Sequence, residues 1–393
     1  MSATAPSVAP ATSLHNAFPE TALAYVNQAA IAHNLQSLRH TLNSAGKKNT
    51  PSIWAVVKAD AYGHGVMHVL PGLHGADGIA VLSIPEAYAL RSLGWHKPIL
   101  VMSAQFSAVD LRDPKLFPLH LVIDNERQIV ELERLRQADR PFAWLRYSGI
   151  LHHAGFDGQG YGPACGRLQK LLRTDVLSGF GHMQHYAQAE DAEQLRAERK
   201  IFEALFAALP GPRCTENSAA LLSDPGYAAG ADWVRSGIAL YGISPLHDVT
   251  GSGLGLMPAM TLRAAIHRVQ KLPAGQPLGY GATFRTSYDM RIGLVACGYA
   301  DGYPRGISEN CPVLIDGRKS RILGRVSMDT ITVDLSAHPT AGPGTIVTLW
   351  GADDLPVEMI ARSAGTIPAQ LCTGLTARVP RLAIDAPGGV RKP

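Results

Sequence analysis

The sequence predicts a (β/α)8 barrel followed by a mostly β domain, and three observations carry that reading. Short apolar runs alternate with helix-like stretches up to about residue 250. Several of those runs are apolar on both faces, as parallel strands covered by helices require. Beyond that point the pattern changes to period-two alternation, the mark of half-buried strands. Eight strands in about 230 residues is the count for a closed barrel. A doubly wound sheet is the alternative that this pattern alone leaves open.

The elements follow in order. Residues 1–19, rich in Ala, Ser, Thr and Pro, read as a disordered leader. They lack the charged n-region and the apolar h-region of a secretory signal, so a cytoplasmic protein is expected. The barrel is expected over 20–250, with strands at 52–58, 78–82, 98–102, 119–123, 142–147, 179–183, 212–215 and 232–235. Amphipathic stretches at 29–42, 125–136 and 189–209 repeat their apolar residues at spacings of three and four, as helices packed on a sheet do. Thr250-Gly251-Ser252-Gly253-Leu254-Gly255 reads as a linker. The β domain is expected over 251–393, with strands at 259–272, 291–298, 311–315, 320–335 and 345–350 and one helix near 356–365. Asp316-Gly317 is placed like a hairpin turn.

Composition narrows the function. The 393 residues are 46% hydrophobic and 17% charged, too apolar for a disordered chain. No run approaches the ~20 apolar residues of a membrane helix. The net charge is only +4 and the basic residues do not cluster, so no nucleic-acid partner is expected. Five scattered cysteines without a C-x-x-C pair argue against both a disulfide framework and a zinc site. His64 and His68 stand four apart with no glutamate beside them, and no metal is expected. Gly158-Gln159-Gly160-Tyr161-Gly162 does not join a strand to a helix as a nucleotide loop must, and reads as a flexible loop.

Lys58 is the most informative residue. It ends the apolar run Ile53-Trp54-Ala55-Val56-Val57, at the barrel end where active sites are built. Desolvation there lowers an amine's pKa and prepares it to form a Schiff base. Position alone equally allows a lysine that snorkels from the barrel mouth. The neighbours decide. Ala55-Val56-Val57-Lys58-Ala59-Asp60-Ala61-Tyr62-Gly63-His64-Gly65 resembles the pyridoxal phosphate attachment motif of alanine racemases. The resemblance runs on in order from about Glu20. It takes in His185-Tyr186-Ala187, Glu216-Asn217-Ser218-Ala219, the block from Arg235 to Gly242, Gly279-Tyr280-Gly281, the block from Gly298 to Arg305, the block from Gly324 to Asp329, and Arg378-Val379-Pro380-Arg381.

The resemblance implies a pyridoxal phosphate-dependent amino-acid racemase acting on alanine by two-base proton transfer, with a barrel and a C-terminal β domain. Lys58 would hold the cofactor and act as one base, and Tyr280 would be the other. In that family the tyrosine comes from the partner subunit, which implies a head-to-tail homodimer with shared active sites. Tyr62, Ser218, Gly237 and Ile238 would bind the phosphate, and His185 and Asn217 would support the ring and its surroundings. Met328 would lie at the substrate. Arg235 would face the pyridine nitrogen; an arginine keeps its proton, so the ring becomes a weaker electron sink. That role argues against a decarboxylase of the same architecture, whose ring nitrogen faces an acid. The presence of Tyr280 argues against a single-barrel cofactor-binding regulator.

Three positions depart from the family. Arg146 and His153 stand where relatives carry a lysine, often carbamylated, and then an arginine that meets the substrate carboxylate. Arg146 is expected to compensate, making carbamylation unnecessary. Ala369 replaces a tyrosine at the phosphate and entrance, and Cys214 replaces a histidine behind the ring-nitrogen arginine. These changes keep two alternatives in view: a racemase of broader or different specificity, and a catalytically weakened cofactor-binding paralogue.

Overall fold

The computed structural model describes residues 21–45, 50–102, 105–136, 139–150, 152–307 and 309–385. The leader expected at 1–19 lies outside them. After β1 (Leu23–Asn27) come eight strands: β2 (Ser52–Val56), β3 (Gly78–Val81), β4 (Ile99–Val101), β5 (Leu119–Ile123), β6 (Phe142–Arg146), β7 (Gly179–Met183), β8 (Arg213–Cys214) and β9 (Trp233–Ser236). They pair in sequence order and β9 returns to β2, so the sheet closes into the eight-stranded parallel barrel. The doubly wound alternative is thereby excluded.

The barrel is filled rather than hollow. Trp54, Val56, Ala80, Leu100, Val122, Trp144, Met183 and Cys214 form one buried cluster. Trp54 stacks on Trp233 with ring centroids 4.1 Å apart. The cluster's side chains come from the seven successive strands β2 to β8 and fill the interior as a packed core. Helices cap as the sequence dictates: Ser83 and Glu86 form a capping box before Ile84–Ser92, and Asn125 and Gln128 do so before Glu126–Glu133. Each box satisfies N–H groups that the first helical turn leaves orphaned.

The chain divides into two compact units. The barrel unit takes in Ala24–Thr261, Trp350–Leu375 and residues 381–385. It includes two further helices, Val357–Ser363 and Pro368–Gly374. The β unit takes in Leu262–Leu349 and Thr376–Pro380, with residues 21–23. Its strands are β10 (Met260–Leu272), β11 (Pro277–Leu278), β12 (Phe284–Arg285), β13 (Met290–Val295), β14 (Pro312–Ile315), β15 (Arg318–Arg321), β16 (Ile331–Asp334) and β17 (Ile346–Trp350). They run in the order β15-β14-β17-β10, and β13 joins β10 to β16. Asp316 and Gly317, with φ of 46° and 76°, make the tight turn between β14 and β15.

One expected strand is corrected. The alternating run 320–335 is two strands, β15 ending at Arg321 and β16 starting at Ile331. Gly324 turns the chain between them with φ of 64°. Alternation carried on through that turn, so periodicity could not see the break.

Candidate active site

The site starts with an unusual turn. Ala59, Asp60, Ala61 and Tyr62 have φ of 54°, 51°, 55° and 53°, a left-handed helical turn built without glycine. Such a conformation costs about 1–2 kcal/mol per residue and persists only where the surroundings dictate it. The bracing is visible. Gly65 N–H donates to Asp60 C=O at 2.9 Å and Val66 N–H to the Asp60 carboxylate at 2.7 Å. Arg381 Nε donates to Gly63 C=O at 3.1 Å. At Gly63 itself, φ is +78° and a Cβ would lie 2.1 Å from Cys372 O, so only glycine fits. His64 is fully buried, and burial pushes its pKa down to about 4. The neutral ring donates from Nδ1 to Tyr62 C=O at 3.0 Å. Just before the turn, Tyr241 Oη donates to Val56 C=O at 2.9 Å.

This turn sends both Lys58 and Tyr62 into one cavity of about 770 Å³ at the C-terminal ends of the barrel strands. Arg146, His153, His185, Asn217, Ser218, Arg235, Gly237 and Ile238 line it too, as does Ala369 from the far wall. Tyr280 and Met328 belong to the β unit, where they are 65% and 52% exposed. Tyr280 opens a short 3-10 turn between Gly279 and Gly281.

Arg235 ends β9 and is buried. Its Nη1 donates to Cys214 C=O at 2.6 Å, with Cys214 Sγ 3.3 Å away. Its Nη2 donates to Gln184 C=O at 2.7 Å and Thr215 C=O at 3.1 Å. Among the described residues no partner takes its Nε–H. Glu216, also fully buried, accepts the Arg235 backbone N–H at 2.7 Å and pairs with Arg199 at 2.5 Å. Asn217 caps the helix Ser218–Ser223 by accepting from Ala220 N–H at 3.0 Å, and its Nδ2 donates to Tyr186 C=O at 2.7 Å, next to His185.

Beside them Ser218 Oγ accepts Gly237 N–H at 2.9 Å. A Cβ on Gly237 would sit 2.5 Å from Tyr62 Oη, so two hydroxyls and a bare backbone share a small cradle. Burial pushes the Tyr62 phenol up to about 12.

Cations dominate the cavity floor. Burial lowers the Lys58 pKa from 10.5, and the charges of Arg146 and Arg235 lower it further. His185 opens onto the cavity, yet the protein around it, with Arg235, Arg146 and Lys58, pushes it down to about 3. Arg146 ends β6; burial and then Arg235 lower its pKa, and its Nη2 lies 3.2 Å from His153 Nδ1. The sequence did not single out Gln184 or Thr215, which hold Arg235 through backbone carbonyls that no side-chain pattern reveals. Nor did it single out Glu358, whose carboxylate takes the N–H groups of Ser244 and Gly251 at 3.0 and 2.9 Å at the cavity wall.

The comparisons agree along nearly the whole chain. The model of the alanine racemase N-terminal domain matches residues 26–245, and that of the C-terminal domain matches 259–383. An alanine racemase of Bordetella avium is 42% identical over 368 residues, covering 92% of this chain and 98% of that protein. One from Nitrosomonas eutropha is 41% identical, covering 92% and 98%. The biosynthetic alanine racemase of Pseudomonas aeruginosa superposes with a TM-score of 0.83 at 36% identity, covering 93% of this chain and 99% of that one. An alanine racemase from Bartonella henselae with covalently bound pyridoxal phosphate gives 0.77 at 26% identity, covering 93% and 100%.

Proposed function

The chain belongs to the alanine racemase family, and from that premise we propose that it interconverts L- and D-alanine on pyridoxal phosphate held at Lys58, with Tyr280 of a partner subunit as the second base. The residues present fit that cofactor. Lys58 offers an amine whose proton burial and two arginines help to remove. The Tyr62, Ser218 and Gly237 cradle, which a Cβ would fill, suits a phosphate. Arg235 has one N–H left over, the Nε–H, for a ring nitrogen that must accept rather than donate.

When bound, pyridoxal phosphate supplies an electron sink that makes the α-proton of an amino acid removable. The chain supplies the rest. Arg235 is fixed by four bonds, so its donor direction does not wander. Lys58 Nζ takes or returns the α-proton on one face. Racemisation needs a second group on the opposite face. Among the cavity's own candidates, His185 is held near 3 and Tyr62 near 12, too far from neutrality to trade a proton readily. The exposed Tyr280 ring supports a base delivered from a second copy, hence a head-to-tail homodimer. Arg146 and His153, facing the same cavity, would meet the substrate carboxylate, and Met328 of the partner subunit would border the substrate. The five cysteines, none of them in a disulfide, support the reducing cytoplasm as the place of action.

The observation that carries this reading is the convergence of Lys58, Arg235 and the hydroxyl cradle on one cavity. Incubation of the holoenzyme with L-alanine in deuterated water tests it. D-alanine carrying α-deuterium is expected; retention of the L-isomer without deuterium would overturn it. Ala369 on the cavity wall favours a second reading, acceptance of larger side chains, and L-leucine in the same assay tests that.

A further inference from the structure

Behind the cavity wall lies a buried ion pair that the proposed reaction does not use. Arg199, on the helix Ala192–Phe206, and Glu216 are 3% and 0% exposed, and their guanidinium and carboxylate meet at 2.5 Å. The other Glu216 oxygen accepts from Thr215 Oγ1 at 2.8 Å, so both carboxylate oxygens have partners. Taking two charges out of water costs much of what their attraction returns, so such a pair adds little stability over apolar residues of the same volume. What it can fix is geometry, and its neighbours are the groups that shape the cofactor site.

The segment after β8 depends on such fixing. β8 is only Arg213–Cys214, and its register against β9 ends at Cys214, opposite Trp233. Five successive residues then serve the site. Cys214 and Thr215 C=O accept from the Arg235 guanidinium, and Glu216 C=O accepts the Arg235 backbone N–H. Asn217 caps the helix Ser218–Ser223, and Ser218 Oγ accepts Gly237 N–H. Arg199 holds this stretch at both ends. Its Nη2 donates to Glu216, just ahead of the helix Ser218–Ser223, and its Nη1 donates to Asp224, just behind it, at 2.8 Å. The same guanidinium lies over the Tyr227 ring, 3.8 Å from its centroid. One planar cation therefore ties down both ends of the helix whose first residue forms the phosphate cradle.

We propose that Arg199 and Glu216 are positioning residues, which set the segment from Cys214 to Ser218 in the register that aims Arg235 and holds the Ser218 hydroxyl in its cradle. Neither side chain lines the cavity, so the pair acts only through that segment. The proposal rests on the pyridoxal phosphate reading of the cavity, and cofactor binding tests it apart from turnover.

The pair is best replaced as a whole, because removing one partner leaves a buried charge uncompensated and destabilises the fold. Arg199→Met combined with Glu216→Leu is expected to keep Tm within about 5 °C of the parent. Affinity for pyridoxal phosphate, read by absorbance titration, should nevertheless fall about tenfold. The kcat for alanine should fall about 10- to 100-fold while KM stays within about threefold, because misplaced groups slow the reaction more than they weaken substrate binding. Glu216→Gln keeps an acceptor for Arg199 and its reach to Thr215, and is expected within about threefold of the parent in affinity and kcat. Should the double variant fail to fold, Arg199→Lys decides. Its ammonium keeps the charge but lacks the planar fork between Glu216 and Asp224, so cofactor affinity should fall about fivefold. A folded double variant that matches the parent in cofactor affinity or in kcat would overturn the proposal. So would parent-like affinity in Arg199→Lys, or a loss in Glu216→Gln as large as in the double variant. A parent protein that binds pyridoxal phosphate yet makes no D-alanine overturns the racemase reading instead, and the affinity result still decides this one.

Discussion

The ends of β9 and β6 place an arginine in the same cavity and treat it in opposite ways. At β9, three backbone carbonyls and a thiol grip both terminal nitrogens of Arg235. At β6, the Arg146 side chain makes one hydrogen bond among the described residues, to His153, and its buried Nε has no partner. The first guanidinium is part of the fold, with a direction set by packing. The second is held loosely enough to be completed by a ligand. On the proposed function, equal charge would serve tuning at one strand end and recognition at the other.

Breaking this contrast should separate stability from affinity. Arg235→Ala strands three buried carbonyl groups, so a loss of about 3 kcal/mol or more is expected, a fall of roughly 10 °C in Tm by calorimetry. Arg146→Ala should leave Tm within about 2 °C while KM rises sharply, because among the described residues its side chain hydrogen-bonds only His153. If the two variants lose stability equally, the contrast fails. Gly237→Ala sharpens the picture from the phosphate side. Its Cβ would crowd Tyr62 Oη at 2.5 Å, and cofactor affinity should drop about tenfold in an absorbance titration.

The smallest effect is a pH effect. His185 titrates near 3 in the folded chain and near 6.5 when unfolded. The unfolded chain then binds more protons below 6.5, so this contribution to stability is complete above 6.5 and is lost as the pH falls toward 3. Burial is the largest cause and Arg235 the next, with Arg146 after it. Arg146→Ala should therefore raise the His185 midpoint, read by NMR, while leaving it below 6.5. An unmoved midpoint would show that the two groups do not feel one another.

Much of this was legible in the sequence, for reasons that differ by element. The barrel strands could be read because burial on both faces writes itself as unbroken apolar runs, as in Ile53-Trp54-Ala55-Val56-Val57. Lys58 and Arg235 could be read because short motifs surround them. The left-handed turn could not. Nothing in Ala59-Asp60-Ala61-Tyr62 favours it; the chain is held there by Arg381 and by the close approach of Cys372, more than 300 residues away in sequence. The helix Pro368–Gly374 was also unread, being too short to show a period. The strand Arg381–Ile384 depends on a distant parallel partner, β1. The asymmetry between the two arginines was invisible as well, since backbone carbonyls create it.

On the proposed function, Lys58 of one chain works with Tyr280 of another. Mixing two inactive variants, Lys58→Ala and Tyr280→Phe, and letting subunits exchange tests it directly. A mixed dimer pairs the intact Lys58 of one chain with the intact Tyr280 of the other at one of its two sites. Half of the dimers formed at random are mixed, so about a quarter of the parent racemase activity should return. Activity that stays at the level of the separate variants, in a mixture shown to contain mixed dimers, would contradict the account.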